Sequence, residues 1–219
     1  MQKSLIPARG QDKAVALTFD DGPNTSTTNE VLDVLEKHGV VASFFPVGDN
    51  INEESAKVVK RACGLGCEIN NHSKTHSYMD KMSAEDIKAE IEFTDRIIFE
   101  ITGEHTKFFR PPYIAVGDAM WENISVPFIA GLGCDDWDDS VSVETRVSVI
   151  TEGVKDGTII LLHDYEGNRK TVEALGRIIP ALKEQGYRFT TVSGLFEAKG
   201  VTPVTKKVYS NVTQEGMWG

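Results

Sequence analysis

Residues 14–23 read AVALTFDDGP, an apolar run of strand length that closes on two aspartates and a Gly-Pro pair. The apolar part favours a buried β-strand, and the DDGP segment has the composition of a turn. A helical pattern follows over about 27–38, with Gly39 as its stop. The beginning of the chain therefore predicts a strand, a turn and a helix, with an acidic pair at the carboxyl end of the strand.

The same alternation of strand and helix continues along the chain. Further strands are predicted at 40–47, 67–70, 107–110, 127–132, 158–162 and 187–192, and further helices at 53–62, between Ser83 and Gly103, at 143–154 and at 170–185. About seven strands alternating with helices predict one α/β domain over residues 1–219, a distorted or incomplete (β/α) barrel of parallel strands. The stretch after Ala198 has no clear periodicity and is expected to be loosely held.

Composition excludes two classes of partner. The chain has 33 acidic and 23 basic residues, a formal net charge of −10 and no concentrated basic patch, which argues against nucleic acid. No apolar stretch is long enough to span a membrane. Residues 1–17 hold no apolar segment of the length of an export signal. We therefore expect either an extracellular or cell-envelope protein whose signal has been trimmed, or a cytoplasmic one.

Polar side chains follow the predicted strands directly. They are Asp20 and Asp21, His72 and His76, Arg110, Asp136, and His163. In a (β/α) barrel the carboxyl ends of the strands share one face, where catalytic groups gather. The sequence therefore predicts a single site built from these seven residues.

His72 and His76 are a candidate pair of metal ligands. Their spacing of four residues, on one helical turn, would project both imidazoles to the same side. The spacing alone occurs by chance, and a DDGP segment alone is more often a plain turn. Two histidines and one carboxylate of the pair Asp20 and Asp21 make a zinc-type ligand set with a position open for water. The second carboxylate is then free to act as general base.

Three further residues suit proton transfer. A protonated His163 can deliver a proton to a leaving amine, and Asp136 is a candidate partner that orients the imidazole. Arg110 can form a charged hydrogen-bond pair with the base carboxylate. A capping or surface role is open for each of them alone, and their joint position at strand ends favours the chemical role.

Five motifs occur in order along the chain: TFDDGP at 18–23, HSKTH at 72–76, RPPY at 110–113, DW at 136–137 and LLHD at 161–164. In this order they resemble the polysaccharide deacetylase family, the nodulation-type carbohydrate esterases. The resemblance runs from about Ala14 to Phe196 and implies a distorted (β/α) barrel.

The resemblance also implies a catalytic role for four residues. Asp20 would be the general base, steadied by Arg110. His163 would be the general acid, tuned by Asp136.

A metal site and an acetyl pocket follow from the same resemblance. The metal ligands would be Asp21, His72 and His76, holding Zn²⁺ or another divalent ion such as Co²⁺, Ni²⁺ or Mn²⁺. Trp137 and Leu161 would line the pocket for the acetyl methyl group, and the backbone N–H of Tyr113 would face the oxyanion.

The implied activity is metal-dependent hydrolysis of N-acetyl groups on a carbohydrate that contains N-acetylglucosamine, such as chitin, chito-oligosaccharide or peptidoglycan, with release of acetate. One alternative is an O-acetyl esterase on xylan, since the same centre cleaves esters with less demand on the acid. Another is a carbohydrate-binding barrel without turnover, against which the complete residue set argues. The expected partner is the carbohydrate alone, with the chain as a monomer.

The chain departs from the family pattern on one side of the expected site. Gly133 stands where the family usually has an acidic residue, Ala130 where it has an aromatic one, and Ile114 where glycine is common. The segment 114–126 is also short. These differences alter the expected shape of one wall of the substrate site and weaken the expectation of a chitin substrate.

Overall fold

The computed structural model describes residues 13–213. The strands in that range are β1 (Lys13–Asp20), β2 (Ser43–Phe45), β3 (Glu68–Ile69), β4 (Phe128–Ile129), β5 (Ile159–His163), β6 (Tyr187–Thr190) and β7 (Val208–Tyr209). The α-helices are α1 (Thr27–His38), α2 (Glu53–Gly64), α3 (Ala84–Thr102), α4 (Asp118–Asn123), α5 (Val143–Gly153), α6 (Arg169–Glu184) and α7 (Val192–Lys199). Gly48–Asn50 and Pro112–Ile114 form short 3₁₀ turns.

Strand β1 is the centre of a parallel sheet. β5 runs along one side of it, and β6 and β2 share the other side, with β6 beside residues 13–16 and β2 beside residues 18–20. β3 extends the sheet from β2, and β4 pairs with β7 in a separate two-stranded parallel sheet. Parallel pairing brings the carboxyl ends of these strands to the same edge.

Isolated bridges join the two sheets. Phe109 bridges both Asn71, which follows β3, and Phe128 in β4, while Leu132 bridges Ile160 in β5. In the part of the chain that the structure describes, single bridges and not continuous ladders therefore complete the circuit from β1 through β4 to β5. The predicted α/β fold with a distorted, incomplete parallel barrel is confirmed.

The sequence of β1 explains its central place. Its apolar residues from Ala14 to Phe19 are fully buried. Val15, Leu17 and Phe19 pack in a core cluster with helix residues of α1 and α6, whereas Ala14 and Ala16 belong to a second cluster inside the barrel. A strand covered on both faces needs this continuous apolar run, and not the alternation of a half-exposed strand.

Helix α3 begins and ends as the sequence predicts. The Ser83 side chain accepts a hydrogen bond from the backbone N–H of Asp86 at 3.2 Å, and Gly103 ends the helix at φ 78°. Glycine adopts this left-handed conformation without the steric cost that a side chain adds. None of the helices within residues 13–213 is long and apolar enough to cross a membrane.

The predicted strand at 107–110 is reduced to the bridges of Phe109. Two prolines follow it at positions 111 and 112 and lack the backbone N–H that a longer ladder would need. Helices α4 and α7 are not predicted by the sequence patterns. The predicted strand at 187–192 ends at Thr190, and Val192 already begins α7.

The expectation of a loosely held segment after Ala198 is wrong for β7. Val208 and Tyr209 are each only 2% exposed, and β7 pairs with β4. The Tyr209 ring packs edge-on against Phe196 at 4.9 Å between ring centroids. A two-residue strand is too short to give a periodic sequence signal, so its burial comes from tertiary packing.

Candidate metal and catalytic site

The predicted site residues meet in one cleft of about 470 Å³ at the carboxyl ends of the strands. Strand pairing accounts for part of this arrangement, because Asp20 and His163 are direct partners in the register of β1 and β5. Nine of the ten predicted residues line the cleft: Asp20, Asp21, His72, His76, Tyr113, Asp136, Trp137, Leu161 and His163. The tenth, Arg110, is completely buried and is hydrogen-bonded to Asp20.

Asp21, His72 and His76 have their ligand atoms within 4.8 Å of one another. Oδ1 of Asp21 lies 3.5 Å from Nε2 of His72 and 3.4 Å from Nε2 of His76. This oxygen is buried and has no hydrogen-bond partner among the described residues. Burial without a partner is costly for a carboxylate oxygen, and a cation held between it and the imidazoles would remove that cost. The residues therefore fit a divalent ion.

The protonation states of Asp21 and His76 also suit a metal site. Burial opposes ionisation of Asp21, but the interactions of its carboxylate with His72, His163 and His76 outweigh this and lower its pKa. Burial and the neighbouring His72 lower the pKa of His76. A carboxylate and a neutral imidazole are the forms that bind a metal ion.

His72 is oriented by its second ring nitrogen. Nδ1 lies 2.7 Å from the backbone oxygen of Arg110, which can only accept a hydrogen bond. Nδ1 must therefore carry the proton, and the lone pair of Nε2 points toward Asp21.

The two histidines do not lie on a helical turn, so that expectation is wrong. They belong to a loop, residues 72–76, in which Ser73 has φ 66° and His76 has φ 57°. The Ser73 hydroxyl accepts the N–H of His76 at 3.0 Å. The Glu90 carboxylate on α3 accepts the N–H groups of Lys74 and Thr75 at 2.9 and 2.8 Å. These bonds, and not helical geometry, bring the imidazoles together.

Arg110 fixes the direction of Asp20. Its guanidinium donates to Oδ1 of Asp20 at 2.5 Å and to the backbone oxygens of Ile129 and Ala130 at 3.2 and 2.9 Å. Burial lowers the pKa of Arg110, and the charge of Asp20 opposes that shift. With Oδ1 engaged, the other oxygen of Asp20, Oδ2, lies 3.8 Å from Nε2 of His72.

Asp136 holds His163 by two contacts. One carboxylate oxygen lies 2.8 Å from Nδ1 of His163, and the other accepts the backbone N–H of His163 at 2.9 Å and the hydroxyl of Thr171 at 2.7 Å. Burial alone would lower the pKa of His163, but the hydrogen bond and charge of Asp136 raise it to about 9. The imidazole is therefore protonated at neutral pH.

Tyr113, Trp137 and Leu161 line the cleft as predicted. Tyr113 has φ 58°, and its backbone N–H has no backbone acceptor in residues 13–213. Gly131 lies against Leu161, where a Cβ would come within 2.7 Å of the Leu161 Cβ. A Cβ at Gly133 would meet nothing nearer than 3.8 Å. The departure at Gly133 thus leaves one wall of the cleft open.

Two buried carboxyl groups that support the site were not singled out from the sequence. They are Glu90 and Asp164. Asp164 accepts the backbone N–H of Gly22 at 3.1 Å and the hydroxyl of Thr28 at 2.6 Å. Burial raises the pKa of Asp164 to about 7. Its place directly after His163 in the LLHD motif was an available signal. Glu90 gave none, because it is one of several acidic residues in α3.

A His-His-Asp cluster, with the Arg110–Asp20 and His163–Asp136 pairs beside it at the strand ends of a parallel barrel, is an arrangement that suits a hydrolase. The model of the family described as polysaccharide deacetylase matches residues 8–125, more than half of the chain. The chain belongs to the polysaccharide deacetylase family.

Similar proteins extend the match over the rest of the chain. A bifunctional xylanase/deacetylase of Pseudobutyrivibrio xylanivorans is 52% identical over 91% of this chain, which spans only 33% of that protein. The Xyl-CE4 domain of a multidomain xylanase from the hindgut metagenome of Trinervitermes trinervoides has a TM-score of 0.91 at 50% identity, covering 93% of this chain and all of that one.

A second solved structure is a family 4 acetyl xylan esterase from Clostridium thermocellum in complex with a cobalt ion. It has a TM-score of 0.89 and 42% identity, and the match covers 92% of this chain and all of that one.

Proposed function

We propose that the chain is a metal-dependent carbohydrate deacetylase with its active site in the cleft. One observation carries the proposal: the unpartnered, buried Oδ1 of Asp21 lies between two imidazole nitrogens, next to Asp20 and His163. The two histidines and one aspartate favour Zn²⁺ among the divalent ions, with Co²⁺, Ni²⁺ and Mn²⁺ as alternatives. Such an ion would polarise the acetyl carbonyl and acidify the attacking water.

Asp20 acts as general base in this proposal. Because Arg110 occupies Oδ1, the proton of the attacking water goes to Oδ2, the oxygen nearer to His72. The water oxygen bonds to the acetyl carbon, and the carbonyl oxygen gains negative charge. The free N–H of Tyr113 donates a hydrogen bond to that oxygen.

His163 acts as general acid. As the bond between the acetyl carbon and the sugar oxygen or nitrogen breaks, the protonated imidazole gives its proton to the leaving atom, and acetate departs. Asp136 keeps the imidazole charged and oriented before this step. Trp137 and Leu161 give the acetyl methyl group an apolar wall.

For the substrate, we place acetylated xylan first. The three similar proteins named above carry xylanase or acetyl xylan esterase in their names, and the open wall at Gly133 suits a polymer. N-acetylated sugars, favoured by the sequence motifs, are the second candidate. An amine leaves only when it is protonated, and a pKa of about 9 keeps His163 able to protonate it at neutral pH.

We further propose that residues 1–219 form one catalytic domain, with the motif-bearing core at about 14–196, and that it acts as a monomer. Its place of action is extracellular or at the cell envelope, where polysaccharides occur, with the cytoplasm as the alternative.

The test is release of acetate from acetylated xylan, chito-oligosaccharide and peptidoglycan fragments by the zinc-loaded and the chelator-treated protein. We expect zinc-dependent release from xylan. Zinc-dependent release only from chito-oligosaccharide or peptidoglycan would make an N-acetylated sugar, and not xylan, the substrate. No release from any substrate with zinc bound would favour the carbohydrate-binding alternative.

Asp20→Asn tests the assignment of the base. We expect at least a roughly 100-fold lower kcat with unchanged zinc stoichiometry, because the amide cannot take the proton. Asp33→Asn, which changes an exposed carboxylate on α1, is the matched control and should keep the wild-type rate. A near-wild-type rate for Asp20→Asn would contradict the assignment.

A further inference from the structure

Exposed aromatic side chains gather at the cleft. In residues 13–213 the large apolar side chains with high exposure are Tyr78, Phe99, Tyr113, Trp137, Val149 and Val204. Tyr113 and Trp137 line the cleft. Tyr78 stacks on Tyr113 with 3.9 Å between ring centroids and 13° between ring planes. Three of the four exposed aromatic rings thus lie in or beside the cleft, where exposure of apolar surface indicates a binding site.

The stacked pair is close to the metal ligands. The Tyr113 ring contacts the His76 ring edge-on, with 4.7 Å between centroids, and Tyr78 covers Tyr113. Tyr78 is therefore one ring further from His76 than Tyr113. Its side chain is 61% exposed, and it lies outside the five sequence motifs.

The backbone around Tyr78 is held firmly. Met79, the next residue, is fully buried in a core cluster that also contains Met120. The backbone oxygen of Asp80 lies so close to Gly117 that a Cβ there would be 2.1 Å away. The packing of the two residues that follow Tyr78, together with its stack on Tyr113, places the Tyr78 ring before any ligand binds, which reduces the entropic cost of binding.

A pyranose ring has the chemistry to occupy this surface. Its axial C–H groups form an apolar face that packs against the electron-rich face of an aromatic ring. The pair Tyr78–Tyr113 offers such a ring without a formal charge, and it continues the cleft that holds the acetylated sugar.

We propose that the stacked Tyr78–Tyr113 pair is a sugar-binding subsite, in which Tyr78 binds a pyranose ring of the polysaccharide backbone next to the acetylated residue. The proposal rests on the proposed function. Tyr78 is a specificity-determining residue that selects chains over single sugars and takes no part in the bond-breaking step.

Direct binding tests the subsite independently of catalysis. The zinc-loaded protein is titrated calorimetrically with unacetylated xylohexaose and chitohexaose. Tyr78→Ala should weaken binding of at least one of the two by about 2- to 10-fold, the range of a single aromatic contact. Tyr78→Phe keeps the ring and should bind like the wild type. Phe99→Ala removes another exposed ring, which lies near the end of α3 and stacks on His105, and it should leave binding unchanged.

Kinetics give the second readout. On the acetylated polymer, Tyr78→Ala should raise KM by a similar factor with little change in kcat, and Tyr78→Phe should restore KM. Equal hexaose affinities for Tyr78→Ala and wild type would overturn the subsite, even if the wild type deacetylates xylan. A wild type that binds a hexaose through Tyr78 but releases no acetate would keep the subsite and overturn the proposed activity.

Discussion

Asp136 sets the charge of His163, and this interaction predicts a pH effect. The pKa of His163 is raised to about 9, so a general acid at this position loses its proton, and the enzyme its activity, as the pH rises through that value. Asp136→Asn removes the hydrogen-bonded charge that opposes the effect of burial, so the pKa of His163 should fall, although Asp20 and Asp21 still raise it. The alkaline limb of kcat/KM for acetate release should therefore move to lower pH.

Both proteins are assayed with the same metal ion, so that any effect of the ion on the pKa of His163 is common to both. Tyr165→Phe, which removes only a hydroxyl near Trp137, is a suitable control and should keep the wild-type limb. Identical alkaline limbs for Asp136→Asn and the wild type would show that His163 is not the acid.

At the residue scale, the sequence located the site because chemistry-bearing residues follow strands. Asp20 and His163 are adjacent because β1 and β5 pair; two apolar runs of strand length predicted both strands, but not their pairing. The sequence also identified Arg110 as a site residue, but it did not predict that the side chain is completely buried. A guanidinium can be completely buried here because it donates hydrogen bonds to the backbone oxygens of Ile129 and Ala130, and no local sequence pattern predicts these contacts.

At the element scale, helix α3 shapes the loop 72–76, which carries two of the proposed metal ligands, through Glu90, and this contact predicts that a change at Glu90 weakens metal affinity. The carboxylate accepts two backbone N–H groups of the loop that carries His72 and His76. Glu90→Ala leaves both donors without their acceptor. We expect the Kd for zinc to rise by about 10- to 100-fold, the usual effect of losing a residue that supports metal ligands.

Competition with a chromogenic chelator measures that Kd. Glu92→Ala changes a neighbouring exposed glutamate on the same helix and should bind zinc like the wild type. If Glu90→Ala retained wild-type zinc affinity in a folded protein, the other hydrogen bonds of the loop, such as those from the backbone N–H groups of Gly48 and Asp49 to Ser73 and Lys74, would be enough to hold it.

This loop also shows where sequence reasoning stops. The spacing of four residues predicted that His72 and His76 lie together, but it assumed a helical turn where the structure has a loop. The loop conformation depends on positive φ angles and on a carboxylate at position 90, 15 and 16 residues away along the chain from its two partners. Contacts of this kind become visible only when α3 is placed against the loop.

Strand β7 is an element that the sequence did not predict. Tyr209 is buried against Phe196, and its hydroxyl accepts the N–H of Val204 at 3.0 Å. Tyr209→Ala should reduce the free energy of unfolding by about 3 kcal/mol, as for other large-to-small aromatic changes in a core. Urea denaturation measures this loss. Val204→Ala, at a 53% exposed position in the same segment, should change stability little, and equal losses for both variants would contradict the packing role of Tyr209.

At the scale of the whole molecule, the barrel architecture was predictable because apolar runs and helical patterns alternate over the entire chain. The incompleteness of the barrel was only partly predictable. The Pro-Pro pair after Phe109 explains one missing ladder, whereas the division of one side of β1 between β6 and β2 is a matter of register. Register depends on how the helices pack around the sheet, and the apolar content of a strand does not specify it.

The proposed metal site joins two parts of the barrel, and this predicts a link between metal binding and global stability. Asp21 follows β1, while His72 and His76 lie in the loop after β3, so the three ligands meet only in the folded chain. An ion that binds only the folded state stabilises it by mass action, by about 2.7 kcal/mol when free zinc is 100 times its Kd. Thermal unfolding should therefore show a higher Tm with zinc than with a chelator. His76→Ala should lose most of this zinc-dependent shift, whereas His105→Ala, at an exposed histidine outside the cleft, should keep it. A wild-type Tm that zinc leaves unchanged, at concentrations that saturate acetate release, would mean that the ion does not bind between these three residues.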